Sequence, residues 1–543
     1  MNDRTRNGLA VLEAALIIGP LGDVLLRAIP WGVNVTLMAA VILSSVIILA
    51  SRSRKLNVLS GSGLWIVGAA AFFALALVWR DSTVLNVLDV LALLLTLAVL
   101  AMHVRGHRVD LAGIAEYGLL ACTAAFNAAF SPFQLILADI GWKTIPRGAL
   151  SKRGGAVLRG LIIAVPLLLI FGALFVAADS MFEHWVNSFQ IRLDLVLSHF
   201  LLALVFAWMA AGFLQGVVFG KKMRVASPIS RDIFSSNPGA TVNPQVVETE
   251  TSVTENSSAL RLGGTEVSVI FGLLNLLFLA FVIIQIRYFF GGASVVQATT
   301  GLTYAQYARR GFFELVTVSV LVLPILLFGH WMLQKGNTTA ARIYCWLSVT
   351  LIALLYVIMA SALLRMLVYE REYGLTELRL YTSAFMGWLA LVFVWFALTV
   401  LRGKRQRFAW GTLAAGLLVM LALHVLNPDS FIVRTNIKHS SEAGKSFDAC
   451  YNSSLSSDAV PELIADMPAM NPAVRATVAY ELLGSSSPVG RADWRTWNLS
   501  RWTARKEVRE RNAALWQEVF TRTVPDLRCH VQSEPRRQAD GED

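Results

Sequence analysis

The chain has 543 residues, 56% of them hydrophobic and only 15% charged, with a mean hydropathy of +0.59. Such a composition excludes an ordinary soluble enzyme and a disordered chain, and it matches an integral membrane protein. The net charge of +11 is not a nucleic-acid footprint, because the excess lies in the apolar part of the chain and the residues after Pro428 are nearly balanced.

A bilayer core of about 30 Å needs roughly 20 apolar residues per crossing. Runs of that kind recur twelve times between Leu9 and Asn427. The first carries Glu13, Asp23 and Arg27 and lacks the short apolar core of a cleavable signal, so entry as a signal anchor is expected. Segments one to four cover residues 9–28, 33–51, 63–79 and 83–102. The fifth, 112–140, is poorer in large apolar groups and is interrupted by Asn127 and Ser131-Pro132. The sixth and seventh cover 156–178 and 195–219. Residues 225–264, rich in Ser, Thr, Asn, Pro and Gly, have the composition of a disordered cytoplasmic loop. The last five segments are 266–290, 312–333, 343–366, 380–401 and 408–427.

A soluble domain is expected over 428–532, with helical patterns at 460–466, 472–483 and 498–520 and a disordered end at 533–543. The fold class is therefore all-α: a polytopic transmembrane helical bundle of about 11–12 crossings, with a small C-terminal helical extracytoplasmic domain. The membrane part divides into residues 1–155 and 156–427.

Parity assigns sides. From Ala156 to Asn427 every lysine, Lys221, Lys222, Lys335 and Lys404, falls in a connection on the side opposite the C-terminal domain. Basic loops are retained in the cytoplasm, so the domain is expected outside. The amino-terminal half disagrees if the fifth segment crosses once, because Arg4, Arg6, Arg52, Arg54, Lys55, Arg105 and Arg108 would then be exported. They return to the cytoplasm if residues 112–140 form a re-entrant pair broken at Asn127 or Pro132. Both readings stay open on the sequence.

Polar chemistry gathers on the outer face. Arg310 and Glu314 are four apart and share a helical face, while Arg365, Glu377 and Arg379 lie at the next outward hairpin. These five form either an interfacial belt with Tyr304, Tyr307, Phe312 and Phe313 or a buried ion-pair cluster lining an outward vestibule. Deeper in the bundle, Asp23 and Arg27 are spaced to pair with each other. Asp89 and Glu116 have no local cation and are the candidate proton sites or interhelical partners.

No catalytic, cofactor-binding or metal signature is present. His103 and His107 lack accompanying ligands at metal spacing, and no Gly-Gly pair is followed by a phosphate-loop lysine. In an oxidising compartment Cys450 and Cys529 would pair. Arg501, Arg505, Lys506, Arg509 and Arg511 near Trp502 form either a solvated face or one that presses on anionic headgroups.

Leu276 to Phe281, Gly291-Gly292, Gly301 to Tyr304, Arg310-Gly311-Phe-Phe-Glu314, Gly374-Leu-Thr-Glu377-Leu-Arg379, Asn427-Pro428, Arg159-Gly160, Ala178-Asp179, Asp458 to Pro461 and Asp493-Trp-Arg-Thr-Trp497-Asn498 resemble a bacterial multi-pass membrane family of unknown function (domain of unknown function 4153 / 4173). The resemblance runs from about Leu158 onward. It implies an inner-membrane protein and assigns no functional residue. The leading functional expectation is a non-enzymatic transporter of a small or lipidic solute. The alternatives are a membrane-anchored signalling or envelope-assembly module acting through the exported domain, and a lipid-linked transferase. The expected partners are the lipid bilayer and an anionic lipid headgroup or envelope protein, with no nucleic acid.

Overall fold

The computed structural model describes residues 2–53, 61–106, 113–142, 193–220, 263–300, 312–333, 338–443, 446–485 and 493–520, with isolated positions between them; the side chains of Glu116 and of 286–300 are not among those described. The described residues are helical throughout, without a strand.

Among the described residues, eleven long helices belong to the membrane part: α1 (Asp3–Leu26), α2 (Val33–Arg52), α3 (Ser62–Trp79), α4 (Thr83–Val104), α5 (Ile114–Gln134), α6 (Leu193–Phe219), α7 (Gly264–Thr300), α8 (Phe312–Met332), α9 (Thr338–Tyr373), α10 (Glu377–Thr399) and α11 (Phe408–Leu426). Ten of them, all except α5, are long and apolar enough to cross a membrane. The expected sixth segment, 156–178, is described only at scattered positions, and the loop 225–264 and the end 533–543 lie outside the described residues.

Two cores organise the bundle. The first joins α1 to α6 through residues such as Val11, Ile18, Val46, Phe73, Leu100 and Leu214; the second joins α7 to α10 through Phe271, Leu326, Tyr344, Leu355 and Phe393. Small residues let α1 and α6 approach: a Cβ on Gly19 would fall 2.6 Å from the Ala203 carbonyl oxygen. Within this contact Asp23 pairs with Arg27 at 3.1 Å and with His199 at 2.5 Å.

Helix α11 is the seam between the two cores. On one side its Gly411 and Gly416 face the indoles of Trp395 and Trp388, which donate to the carbonyls of Arg407 (3.2 Å) and Thr412 (3.3 Å). On the other, Trp410, Leu413, Leu417 and Met420 pack against the first core.

The fifth segment behaves differently from both sequence readings. Helix α5 runs through Asn127 and Pro132 without a break and ends in a π-helical turn, Leu135–Asp139. The turn closes where Ile140 N donates to the Leu135 carbonyl at 3.1 Å. Yet both ends of α5 lie at one end of the bundle. Near its start, the Tyr117 hydroxyl donates to the Val109 carbonyl at 2.9 Å, and Arg105 just before it donates to the Gly216 carbonyl at 2.8 Å. At its finish, Asp139 pairs with Arg4 at 2.7 Å and accepts from Gln215 at 2.9 Å. The start of α1 and the finish of α4 and α6 meet there. The expected break at Asn127 or Pro132 is therefore corrected: the segment is one unbroken helix.

At the opposite end sits a third, separate core built from α12 (Pro428–Ala443), α13 (Ala449–Ser453), α14 (Val460–Asp466), α15 (Pro472–Ser485), α16 (Leu499–Glu510) and α17 (Asn512–Phe520). Val433, Leu463, Val478, Leu482, Val508 and Leu515 fill it. A disulfide joins Cys450 to Cys529 across a separation of 79 residues.

Candidate functional site

A helix that ends at a membrane boundary leaves backbone N–H and C=O groups without intrahelical partners, and apolar surroundings make those orphans costly. In this chain the C-terminal domain supplies the partners. The Trp497 carbonyl accepts from Val33 N at the start of α2 (2.9 Å). Asn498 Nδ2 donates to the Leu77 and Arg80 carbonyls at the end of α3 (2.9 and 2.7 Å), while its Oδ1 accepts from Arg501 N and so caps its own helix, α16.

Asp458 completes the set at the start of α4. Its carboxylate accepts from Asp81 N at 2.6 Å, Ser82 N at 3.2 Å, Ser500 Oγ at 2.5 Å and Arg80 Nη1 at 3.4 Å. Ser82, the residue at the N-cap position, turns its own hydroxyl to Tyr381 of α10 at 3.1 Å instead of back to its helix. Arg501 pairs with Asp81 at 2.5 Å and donates to the Trp31 carbonyl at 2.7 Å. Burial pushes the Asp81 carboxyl up, opposed by the Arg501 charge, and lowers Arg501 against the pull of Asp81.

The second core is held in the same way. Asn436 of α12 reads both backbone groups of Leu375, accepting from its N–H at 2.6 Å and donating to its C=O at 3.0 Å, and the Tyr451 hydroxyl accepts from Glu377 N at 2.8 Å. Gly374 makes room for this contact: it has φ +76°, and a Cβ there would fall 2.8 Å from Asn436 Oδ1. Nearby, Asp429 is fully buried, accepts from Ser456 N at 3.3 Å and from the Ser456 hydroxyl, and has its carboxyl pushed up to about 6 by burial.

Beneath this polar floor a pair ties α11 to the first core. Asp89 of α4 and His424 of α11 meet at 3.0 Å, both side chains fully buried. His424 Nδ1 lies 2.8 Å from the Met420 carbonyl. A carbonyl only accepts, so Nδ1 carries a hydrogen, and a second proton is shared between Nε2 and the Asp89 carboxylate. Asp89 Oδ1 has no hydrogen-bond partner among the described residues. Phe72, Phe73 and Trp79 surround the imidazole, and Arg80, stacked on Trp79, donates twice to the His424 carbonyl, at 3.0 and 2.7 Å.

Four members of the outward cluster expected from the charge pattern are described: Glu314, Arg365, Glu377 and Arg379. Glu314 is exposed at the start of α8, whereas Arg365 donates to Gln285 Oε1 at 2.7 Å. Arg379 donates to the Gly374 carbonyl and stacks over Tyr369 at 4.2 Å. Glu377 contributes its backbone N–H to Tyr451. Long side chains at a membrane boundary thus find amide, carbonyl and ring partners in place of one another. Arg310 and the side chain of Glu116 lie outside what is described. Among the described residues no group of three or more His, Cys, Asp or Glu is arranged to hold a metal.

Asp458, Asn498, Arg501 and His424 carry the site, and sequence reasoning did not single out their roles. One signal was present: the Asp493-Trp-Arg-Thr-Trp497-Asn498 string reads as a helix start, and Asn498 is indeed a cap, though for two helices at once.

A family described as a domain of unknown function, DUF4153, matches residues 67–465 of the chain. No curated protein and no solved structure matches it. The matched range includes Asp89, His424 and Asp458 and ends before Asn498.

Proposed function

Because the chain belongs to this family of unknown function, we propose from its own geometry that it is a multi-pass protein of a bacterial cytoplasmic membrane that moves a small or lipidic solute, with the Asp89–His424 pair as its proton-responsive element. The single observation that carries this reading is the position of that pair. An ionisable pair inside a membrane protein is expensive and is a functional-site hypothesis by default. This one ties α11 to α4 of the first core, holds a shareable proton, and lies under a domain that ties the outer hairpins of both cores.

Orientation is part of the proposal. With α5 keeping to one side, Arg4, Arg6, Arg52, Arg105, Arg402, Lys404, Arg405 and Arg407 all fall at the end away from the C-terminal domain. The positive-inside rule then makes that end cytoplasmic for both halves of the chain and the domain extracytoplasmic. The Cys450–Cys529 bond agrees with an oxidising compartment.

The test needs no known substrate. Purified protein reconstituted on a solid-supported membrane should give a transient charge displacement when the pH is stepped between 8 and 5. Asp89→Asn and His424→Gln should each abolish it while remaining folded by circular dichroism. A transient of undiminished size in Asp89→Asn would overturn the assignment. The tight capping of the spanning helices sets this apart from a module whose bundle merely anchors the domain: deleting residues 441–543 should destabilise the bundle itself, whereas an anchor would stay folded.

A further inference from the structure

The C-terminal domain has an exposed face that its own core leaves uncovered, and the structure fixes where that face lies. Helix α16 buries Arg501, Ala504 and Val508. Leu499, Trp502, Lys506 and Arg509, spaced three, four and three apart, share the other face. Leu499 and Trp502 are 40% and 50% exposed, and just before the helix Trp494 and Trp497 are 63% and 43% exposed. For four large apolar groups so close together, solvent is an unfavourable surrounding.

These residues are level with the ends of the spanning helices. Arg495 donates to the Val24 carbonyl of α1 at 2.5 Å, Trp497 is bonded to Val33 of α2, and Ser500 Oγ lies 2.9 Å from the Trp79 carbonyl of α3. Val24 is itself 48% exposed on the outer surface of α1, in line with Leu16 and Ile17 at 61% each. A span's exposed leucines and isoleucines face acyl chains, so the tryptophans beside Val24 stand at the depth where indoles collect, between acyl chains and headgroups.

The far end of the same stripe is basic. Lys506 Nζ lies 5.7 Å from the centre of the Trp502 ring and Arg509 follows one turn on, with Arg505 alongside; Glu510, 3.9 Å from Lys506, offsets part of that charge. Apolar rings at one end and long cations at the other suit a helix that rests on a membrane surface with its bases reaching for phosphates.

We infer that the C-terminal domain is seated on the bilayer itself, with Trp494, Trp497, Leu499 and Trp502 embedded at the interface and Lys506 and Arg509 contacting anionic phospholipid headgroups. The occupant of this face is lipid, because the patch continues the lipid-exposed surface of α1 without a step. The seat does not depend on the Asp89–His424 reading.

The test uses the full chain with Cys122→Ser and Cys345→Ser, which leaves the disulfide intact, and a single environment-sensitive fluorophore at Leu499→Cys or, for reference, at exposed Ala469→Cys. In nanodiscs of phosphatidylcholine carrying a spin label near the headgroup, the probe at 499 should be quenched at least threefold more than the probe at 469. Replacing 30% of the lipid by phosphatidylglycerol should deepen that quenching, and Lys506→Gln with Arg509→Gln should remove the increment. Equal quenching at the two positions would overturn the seat. Quenching at 499 indifferent to phosphatidylglycerol would overturn the headgroup contact. A probe shielded from lipid and altered only by added membrane extract would show that a protein occupies the face instead.

Discussion

Replacing Asp458 by Asn is the sharpest perturbation of the docked domain, because the side chain keeps its size and loses only its charge and one acceptor. Asp458 is 4% exposed and its carboxylate meets five donors, two of them backbone N–H groups at the start of α4. An asparagine retains one acceptor oxygen and turns an N–H₂ group toward other donors. Hydrogen bonds to a charged group contribute about 1.5–3 kcal/mol, and a buried donor left unmatched costs about 1–3 kcal/mol. Arg80 is not stranded, since it still holds the His424 carbonyl through two bonds, so the effect belongs at the lower end, about 3 kcal/mol. That is roughly a hundredfold in the docking equilibrium. Hydrogen exchange measured by mass spectrometry on the full chain in nanodiscs should show the amides of Asp81 and Ser82 exchanging about a hundredfold faster, with those deep in α4 unchanged. A change under threefold would mean that the domain does not cap α4, and the trans-capping scheme would fall.

Three further outcomes follow from the same contacts. Asp429, with its carboxyl raised to about 6 from an ordinary 3.8, binds its proton more tightly when folded than when unfolded. Stability from this group is therefore greatest at low pH and declines as pH rises from about 4 to about 6, by on the order of 3 kcal/mol; Asp429→Asn should flatten the pH dependence of the domain's thermal midpoint over that window, and an unchanged slope would refute the assignment. Gly32→Ala places a Cβ 2.3 Å from the Trp497 carbonyl oxygen, so it should accelerate exchange at Val33 N by tenfold or more while leaving the domain's own core protected; equal exchange in the two proteins would show that Trp497 does not sit there. Opening the Cys450–Cys529 loop, with its separation of 79 residues, should cost the domain about 4–5 kcal/mol on chain-entropy grounds, which Cys450→Ser and reductant should reproduce alike in urea titrations.

Apolar runs and their breaks made the helices legible. Segments at 33–51, 63–79 and 83–102 correspond to Val33–Arg52, Ser62–Trp79 and Thr83–Val104, because a continuous apolar stretch bounded by Pro30-Trp-Gly or Arg80-Asp81 has no other stable form in a bilayer. The fifth segment was legible as an anomaly and not as a structure. Its weak hydropathy and the stranded arginines of the first half left open whether it crosses, and neither could foretell the pairing of Asp139 with Arg4, 135 residues away. Local composition reports what a segment prefers; it cannot report which glycine of another helix, here Gly212 with its missing Cβ 2.3 Å from the Ala128 carbonyl, makes room for it.

The site was less legible for a related reason. Charge pattern favoured the Glu314 to Arg379 region because ionisable residues are dense there, yet density in sequence measures boundary residues, which find partners cheaply. The informative groups are sparse ones that must be matched from far away: Asp89 with His424 across 335 positions and Asp458 with Ser82 across 376. Asp89 stood out because an acid with no local cation inside an apolar helix demands a distant partner. His424, two residues from the end of α11, carried no local sign of the acid it meets. Buried ion pairs seldom stabilise a fold more than apolar residues of the same size would. A fully buried pair on a helix that packs against both cores is therefore hard to explain as scaffolding, and that is the physical reason to measure what its proton does.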